Sequence, residues 1–334
     1  MRALILVGGF GTRLRPLTND TPKQMLPVVD RPMIEHVVGH LARHGVEQVV
    51  LSLGFRPDAF MAGYPDGVCA GIPLHYAVEP EPLDTAGAVR FAALDAGIDD
   101  TFLVMNGDVL TDLDIGALVE RHRAAEAEGT IHLTPVDDPS RYGVVPIDDD
   151  GRVIAFIEKP PRDEAPSNWI NAGTYVLEPS VLDRIPDGRK VSIERETFPA
   201  IVADGKLFGH QAAGYWVDAG TPETYAQVQF DLVDGVRGDA WPAVGTGAEL
   251  SPDARVEHTI VMAGARIAAG AELKDAIVFP RATVGEGATV TGSIIGEGAV
   301  IEAGAAVESM TVIGPGAVVE GGARLSGARV PQPD

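Results

Sequence analysis

The sequence predicts a two-part chain: an α/β domain built on a mostly parallel sheet with helices on both faces, then a C-terminal parallel β-helix. Three observations carry this. Short β-rich runs alternate with amphipathic segments up to about residue 235. Those runs are nearly all apolar, as strands are when helices cover both faces of a parallel sheet. From Val244 the pattern changes to one apolar residue every six positions, interrupted by steps of about five.

Strands are expected at 2–7, 47–53, 73–78, 101–105, 130–136, 153–157 and 173–177. Helical patterns fall between and after them, near 32–44, 57–62, 86–95, 114–127, 193–203 and 222–234. Pro32 suits a first helical position and Gly45 the residue just past the end. In open α/β sheets ligands bind beyond the carboxyl ends of the strands, which places residues 8–18 where a ligand would be.

The C-terminal positions are Val244, Leu250, Val256; Val261, Ile267, Leu273; Val278, Val284, Val290; Ile295, Ile301, Val307; Ile313, Val319, Leu325; and Val330. Equivalent positions recur at 17 residues, once at 18. Gly and Ala cluster a few residues after many of them, as in "VGEGAT" and "IGEGAV". This is a hexapeptide pattern, with three short sides per coil and one inward aliphatic residue per side. A flexible Gly/Ala tail would have no reason to hold aliphatics in register. The domain boundaries expected are 1–235, a linker at 236–242, and 243–334.

Net charge is −22, with 48 acidic against 26 basic residues. That balance argues against nucleic acid or an anionic membrane as partner. No stretch approaches the ~20 apolar residues of a membrane span. The single cysteine, Cys69, excludes an internal disulfide, fits a reducing cytoplasm and reads as an inert thiol. An acidic body that binds phosphates must use a few focused cations or a metal, so the five lysines are informative.

"GGFGTRLRPLT" (8–18) follows the apolar run "ALILV". Its glycines admit close backbone approach, and Arg13 and Arg15 suggest an anion. A Walker A loop would need Gly-Lys-Ser/Thr, which is absent. A dinucleotide fingerprint would need a glycine where Leu14 stands. The longer stretch "GGFGTRLRPLTNDTPKQMLPVVDRPMIEHVV" closely resembles the signature of the sugar-1-phosphate nucleotidyltransferases, GGxGTRLxPLT followed by PKxxLPV. The resemblance continues in order through "EPEPLDTAGA" (79–88), "VMNGDVLTD" (104–112), "RYGVV" (141–145), "FIEKP" (156–160), "INAGTYVLEP" (170–179), "SIERETFP" (192–199) and "YWVDAGTPETY" (215–225). It covers nearly the whole chain. It implies a Rossmann-like catalytic sheet and a left-handed hexapeptide β-helix. The wording "NAG", "SIE" and "WVDAGTP" looks most like the branch of the family that uses GTP and mannose 1-phosphate.

The reaction implied is nucleoside triphosphate plus sugar 1-phosphate giving nucleotide-sugar and pyrophosphate. A phosphate monoester with its second pKa near 6 is already an ionised nucleophile, so no general base is required and the task is positioning and charge neutralisation. By resemblance, Leu6, Gly8, Gly9, Gly11, Thr12, Arg13, Gln24 and Gly87 bind the nucleotide. Arg13 would take the β- and γ-phosphates, for which a fork-shaped donor is suited. Lys23 would serve the α-phosphate, and Lys159 the sugar phosphate. Asn106, Gly143, Glu158, Asn171 and Trp216 would line the sugar site. Asp108 and Asp218 would hold Mg²⁺, which commonly takes one or two carboxylates plus substrate phosphates. Arg13, Lys23, Asp108, Lys159 and Asp218 form the expected catalytic set, and two of the five lysines fall within it.

Gln24 leans the other way, since pyrimidine-using relatives carry a glutamine that reads the base edge. Asp84 stands where many relatives have glycine. GTP with mannose 1-phosphate is the expectation, with dTTP or UTP and glucose 1-phosphate as the alternative. A non-catalytic nucleotide-sugar sensor would be free to lose the cations retained here. An acyltransferase in the β-helix would want a catalytic histidine and long loops, and only His258 is present there. A cytoplasmic homo-oligomer is expected. His36, His40 and His44 read as a solvated helix face rather than a metal stripe, and "DDD" (148–150) as a hairpin turn.

Overall fold

The computed structural model describes residues 1–54 and 56–332, so the last two positions of the expected C-terminal domain lie outside the described residues. Contacts divide the chain into two compact units, Met1–Gly9 with Ile34–Trp216 and Phe10–Met33 with Val217–Asp334. This division differs from the change in sequence pattern near 236–242. The segment 10–33 and the helix preceding that linker are grouped with the C-terminal region.

The first unit is organised by one ten-stranded sheet. Strand β1 (Arg2–Leu6) is followed by α1 (Met33–Arg43), β2 (Gln48–Leu53), α2 (Pro57–Gly63), β3 (Ile72–Val78), α3 (Asp84–Asp95) and β4 (Phe102–Asn106). These four strands are parallel, with β1 between β2 and β4. Helix α4 (Ile115–Ala124) leads to β5 (Gly129–Pro135). Then come β6 (Trp169–Leu177), α5 (Phe198–Ala203) and β7 (Leu207–Gln211). Strand β6 is antiparallel to both β4 and β5, and β7 pairs parallel with β5. The sheet is therefore mixed, parallel where β1 and its neighbours lie and antiparallel around β6.

The parallel part is apolar for the reason anticipated. Ala3, Leu4, Ile5, Val49, Val50, Leu51, Leu103 and Val104 are all fully buried. Four expectations need correction. Over 153–157 there is no continuous strand. Val153 makes one bridge to Ile147, Ile154 is 61% exposed, and pairing resumes only at Ile157–Glu158. Residues 193–203 are not one α-helix. A wide turn over Ile193–Thr197 bonds back to Ser192 before α5 begins, and Pro199 in its first turn has no N–H to continue the earlier pattern. Near the start of α1, Pro32 precedes the first helical residue, Met33. His40 is 4% exposed, so the solvated-face reading fails for that histidine. "DDD" does form a turn, with Gly151 N–H donating to Asp148 O (2.9 Å).

In the second unit α6 (Pro222–Val233) begins with a capping box between Thr221 and Thr224. The β-helix follows as three parallel sheets of five short strands. Fifteen of the sixteen periodic positions lie in these strands, and the sixteenth, Val244, bridges to Val261. The inward residues Val261, Val278, Val284, Val290, Ile295 and Ile301 are fully buried. Burying each such side chain is worth about 1.5–3 kcal/mol. The corners turn through left-handed backbone. One stack of corners carries His258, Asp275, Gly292 and Gly327, and the single 18-residue coil passes that corner with two such residues, Ser309 and Met310.

Candidate active site

In the first unit the strand ends assemble the expected residues. Leu6 ends β1 and pairs in register with Asn106, which ends β4. Gly107 can follow only without a side chain, since a Cβ there would lie 2.7 Å from Val7 Cγ1. The turn continues into Asp108, half-buried. Gly8 lies against the Gly54 backbone, where a Cβ would stand 3.5 Å from Gly54 N. Glu79 braces this edge, accepting from Ser52 Oγ (3.0 Å) and Leu83 N–H (3.1 Å).

Strand β6 carries a bulge between Asn171 and Tyr175. Gly173 there has φ 73°, and a Cβ would strike Asn106 Nδ2 at 2.5 Å. The bulge fixes Asn171, whose Nδ2 donates to Tyr175 OH (2.9 Å) and whose Oδ1 accepts from Gly173 N–H (3.0 Å). Trp216 Nε1–H donates to Ala172 O (2.9 Å), and its ring meets Tyr142 edge-on at 5.6 Å. Gly143 pairs with Glu158, and the Phe156 ring occupies the space a Cβ would need. Lys159, at φ 50°, places Nζ 3.0 Å from Glu158 Oε1.

Glu158 and Asn171 line one cavity of about 280 Å³ together with Asp84, Ser192, Glu194 and Arg195. Glu194 is held there by Thr85 Oγ1 (2.9 Å) and Ser192 Oγ (2.9 Å). Asp84 has φ 61°, a backbone state that favours glycine. Gly87 is not part of this cavity. It lines a larger one, about 510 Å³, with Leu83, Arg90 and Arg189 among others. Asp84, Glu194 and Arg195 line this cavity without being among the expected site residues; Asp84 lies in "EPEPLDTAGA", and Glu194 and Arg195 in "SIERETFP".

In the second unit the loop 10–18 is a tight knot. Gly11 is left-handed at φ 60°, and Thr18 Oγ1 donates to Gly11 O (2.8 Å). Leu14, Leu17 and Thr18 are buried, while Thr12 and Arg13 are exposed. Lys23 Cβ packs 3.3 Å from the Cβ position of Gly11. Gln24 is 1% exposed and its Oε1 has no hydrogen-bond partner among the described residues. Asp218 and Arg13 approach Gly220 together. A Cβ there would lie 2.4 Å from Arg13 Nη2 and 2.7 Å from Asp218 Oδ1, so glycine at 220 is what makes room for both.

Cys69 is buried, and burial pushes its thiol up to about 12, which suits an inert residue. Among the described residues no cluster of three or more His, Cys, Asp or Glu is assembled. A metal here would therefore have few protein ligands. Carboxylate oxygens such as those of Asp108 and Asp218 are hard donors, which fits a hard divalent cation completed by phosphate and water. No helix among the described residues is long and apolar enough to cross a membrane.

Strand-end glycines and a carboxylate after β4 lie in the first unit, and an arginine-bearing loop lies in the second. The chain belongs to the Nucleotidyl transferase family, whose model matches residues 2–235, and residues 242–333 match the GMPPB C-terminal domain. Members of this family use a divalent metal. The chain is 43% identical over 289 residues to a mannose-1-phosphate guanylyltransferase of Mycobacterium tuberculosis, covering 78% of this chain and 80% of that one. It is 46% identical over 231 residues to a mannose-1-phosphate guanyltransferase of Aspergillus fumigatus, covering 67% of this chain and 62% of that one. A crystal structure of HddC from Yersinia pseudotuberculosis complexed with GMP-PN is 29% identical, with a TM-score of 0.58 over 68% of this chain and 97% of its own.

Proposed function

We propose that the chain transfers a guanylyl group from GTP to mannose 1-phosphate, giving GDP-mannose and pyrophosphate. The observation that carries this is the 43% identity to a mannose-1-phosphate guanylyltransferase across four-fifths of that protein. In the step, a sugar-phosphate oxygen forms a bond to the α-phosphorus as the bond to the pyrophosphate oxygen breaks. No proton needs to be removed, because the phosphate monoester is already ionised near neutral pH. Arg13 receives the charge growing on pyrophosphate, and Lys23 lowers the charge at the α-phosphate. Lys159 holds the sugar phosphate while Glu158 and Asn171 accept and donate to hexose hydroxyls in the 280 Å³ cavity. Asp108 and Asp218 are the residues that would hold Mg²⁺. The ion would supply charge neutralisation between the two phosphate groups.

The test is pyrophosphate release over five nucleoside triphosphates and a panel of hexose 1-phosphates. Fastest turnover with GTP and mannose 1-phosphate is expected. Because Gln24 is buried with an unpartnered Oε1, dTTP and glucose 1-phosphate belong in the panel. Preference for that pair would replace the guanylyl reading, and no turnover with any pair would remove the catalytic one.

A further inference from the structure

One side of the β-helix differs from the other two. Along the sheet made by Ile260–Val261, Ile277–Val278, Ile294–Ile295, Val312–Ile313 and Arg329–Val330, the residues pointing away from the core are themselves apolar and buried in the first four strands, and half-buried Arg329 takes that position in the fifth. Ile260, Ile277, Ile294 and Val312 are at most 1% exposed, and Met262 and Phe279 are 2% exposed. Corresponding outward positions on the other sides include Arg255, Glu272, Arg266 and Arg324, all exposed. The apolar side meets the rest of its own unit. The Phe279 ring lies 6.2 Å from that of Tyr225 on α6, and Tyr225 OH donates to Pro27 O. Gln229 Oε1 accepts from Val29 N–H at 3.0 Å.

The loop tip touches this side directly. A Cβ at Gly314 would lie 3.0 Å from Pro16 Cβ, 3.1 Å from Pro16 Cγ and 3.1 Å from Val330 O. Gly314 is pinned in place by its N–H donating to Val330 O (2.6 Å). Its φ is not left-handed, so what resists a side chain there is the crowding by Pro16 and Val330 O and not the conformation of Gly314 itself. Pro16 is three residues from Arg13. The knot between them is closed by Thr18 to Gly11, Leu14 N–H to Gly11 O (2.9 Å) and Leu17 N–H to Leu14 O (3.0 Å). A loop tied that tightly moves as one piece.

We infer that the β-helix is a positioning element for the triphosphate loop, and that Gly314, by seating Pro16, sets where the Arg13 guanidinium stands. This rests on the proposed role of Arg13. Gly314 touches no substrate; it acts through Pro16.

The experiment is Gly314→Ala and, separately, Pro16→Gly in the full chain. Gly314→Ala should raise KM for GTP by about fivefold or more, since misplacement by 1 Å can cost ~10²-fold. KM for mannose 1-phosphate should stay within about twofold, because its proposed ligands lie on other elements. Pro16→Gly should also raise KM for GTP, since it removes the ring that Gly314 seats. Val319→Ala, which opens a cavity in the β-helix core without touching Pro16, should lower the melting temperature and leave KM for GTP unchanged. The inference is overturned if Gly314→Ala leaves KM for GTP unaltered, if both KM values rise together, if Pro16→Gly leaves KM for GTP unaltered, or if Val319→Ala raises KM for GTP as much. Should Gly314→Ala not fold, Pro16→Gly alone must weaken GTP binding, and an unchanged Kd overturns the idea. If the wild-type chain shows no turnover, the catalytic reading falls, and the Kd of GTP for the same variants decides this one.

Discussion

Asp108 and Asp218 carry the sharpest expectation at the scale of single residues. Replacing either by asparagine keeps the shape and removes the charge, so the fold should persist while turnover falls by ~10² or more. Steady-state pyrophosphate release with a circular dichroism melt on each variant checks this; near-normal turnover would contradict the metal assignment. These carboxylates were legible in the sequence because "NGD" and "WVDAG" are fixed wordings. Glu194 was not. Its place in the cavity depends on Ser192, two residues before it, and on Thr85, 109 residues away, a contact that no local pattern encodes. Asp84 and Lys159 were noted for identity and position, but their left-handed backbones were not foreseen. Such conformations cost a non-glycine residue of order 1 kcal/mol and persist where surrounding structure imposes them. Both lie at or beside the cavity proposed for the hexose, Asp84 in its lining and Lys159 next to Glu158.

Elements were legible to the degree that their packing was periodic. Fifteen of the sixteen periodic positions of the β-helix were readable as inward because each coil repeats the same environment, whereas Val244, at the first edge, is 47% exposed. The outward isoleucines at 260, 277 and 294 repeat as faithfully, yet they announce a covered side only once the inward set is known. Strand 153–157 misread because apolar residues alone do not supply a sheet neighbour. One contact between elements yields a pH prediction. His258, at a β-helix corner, has Nδ1 2.6 Å from Asp275 and Nε2 3.2 Å from Asp234 after α6, and its ring stacks on Phe230 at 4.4 Å. Glu257 beside it is engaged by Lys274 at 2.9 Å. Asp275 first, and then Asp234, raise the imidazole pKa above its usual 6.5. A pKa raised in the folded state stabilises fully below about 6.5 and fades as pH rises through the folded value. The ring is 40% exposed, so the effect is under about 1 kcal/mol. Thermal melts of wild type from pH 6 to 8.5 should fall more steeply than those of His258→Gln, and parallel curves would count against the clamp.

For the whole molecule, the sequence divides where its pattern changes, whereas contacts group residues 10–33 with the C-terminal region. Local patterning cannot reveal that grouping, since it depends on pairs such as Val29 with Gln229 and Pro16 with Gly314. Arg31 lies over the Trp241 ring at 4.6 Å, which gives the grouping a fluorescent reporter. With Trp169 and Trp216 replaced by phenylalanine, Trp241 emission during refolding should recover after far-UV ellipticity has largely returned, because long-range closure is slow. Simultaneous recovery would argue that the segment docks with the first strands. Pro16 and Gly314 are separated by about 300 residues, which at 5–20 residues per second means roughly 15–60 s of translation. A ribosome therefore makes the segment that carries Pro16 well before the surface it rests on. Until that later stretch emerges the nascent chain holds the loop around Pro16 without a resting place.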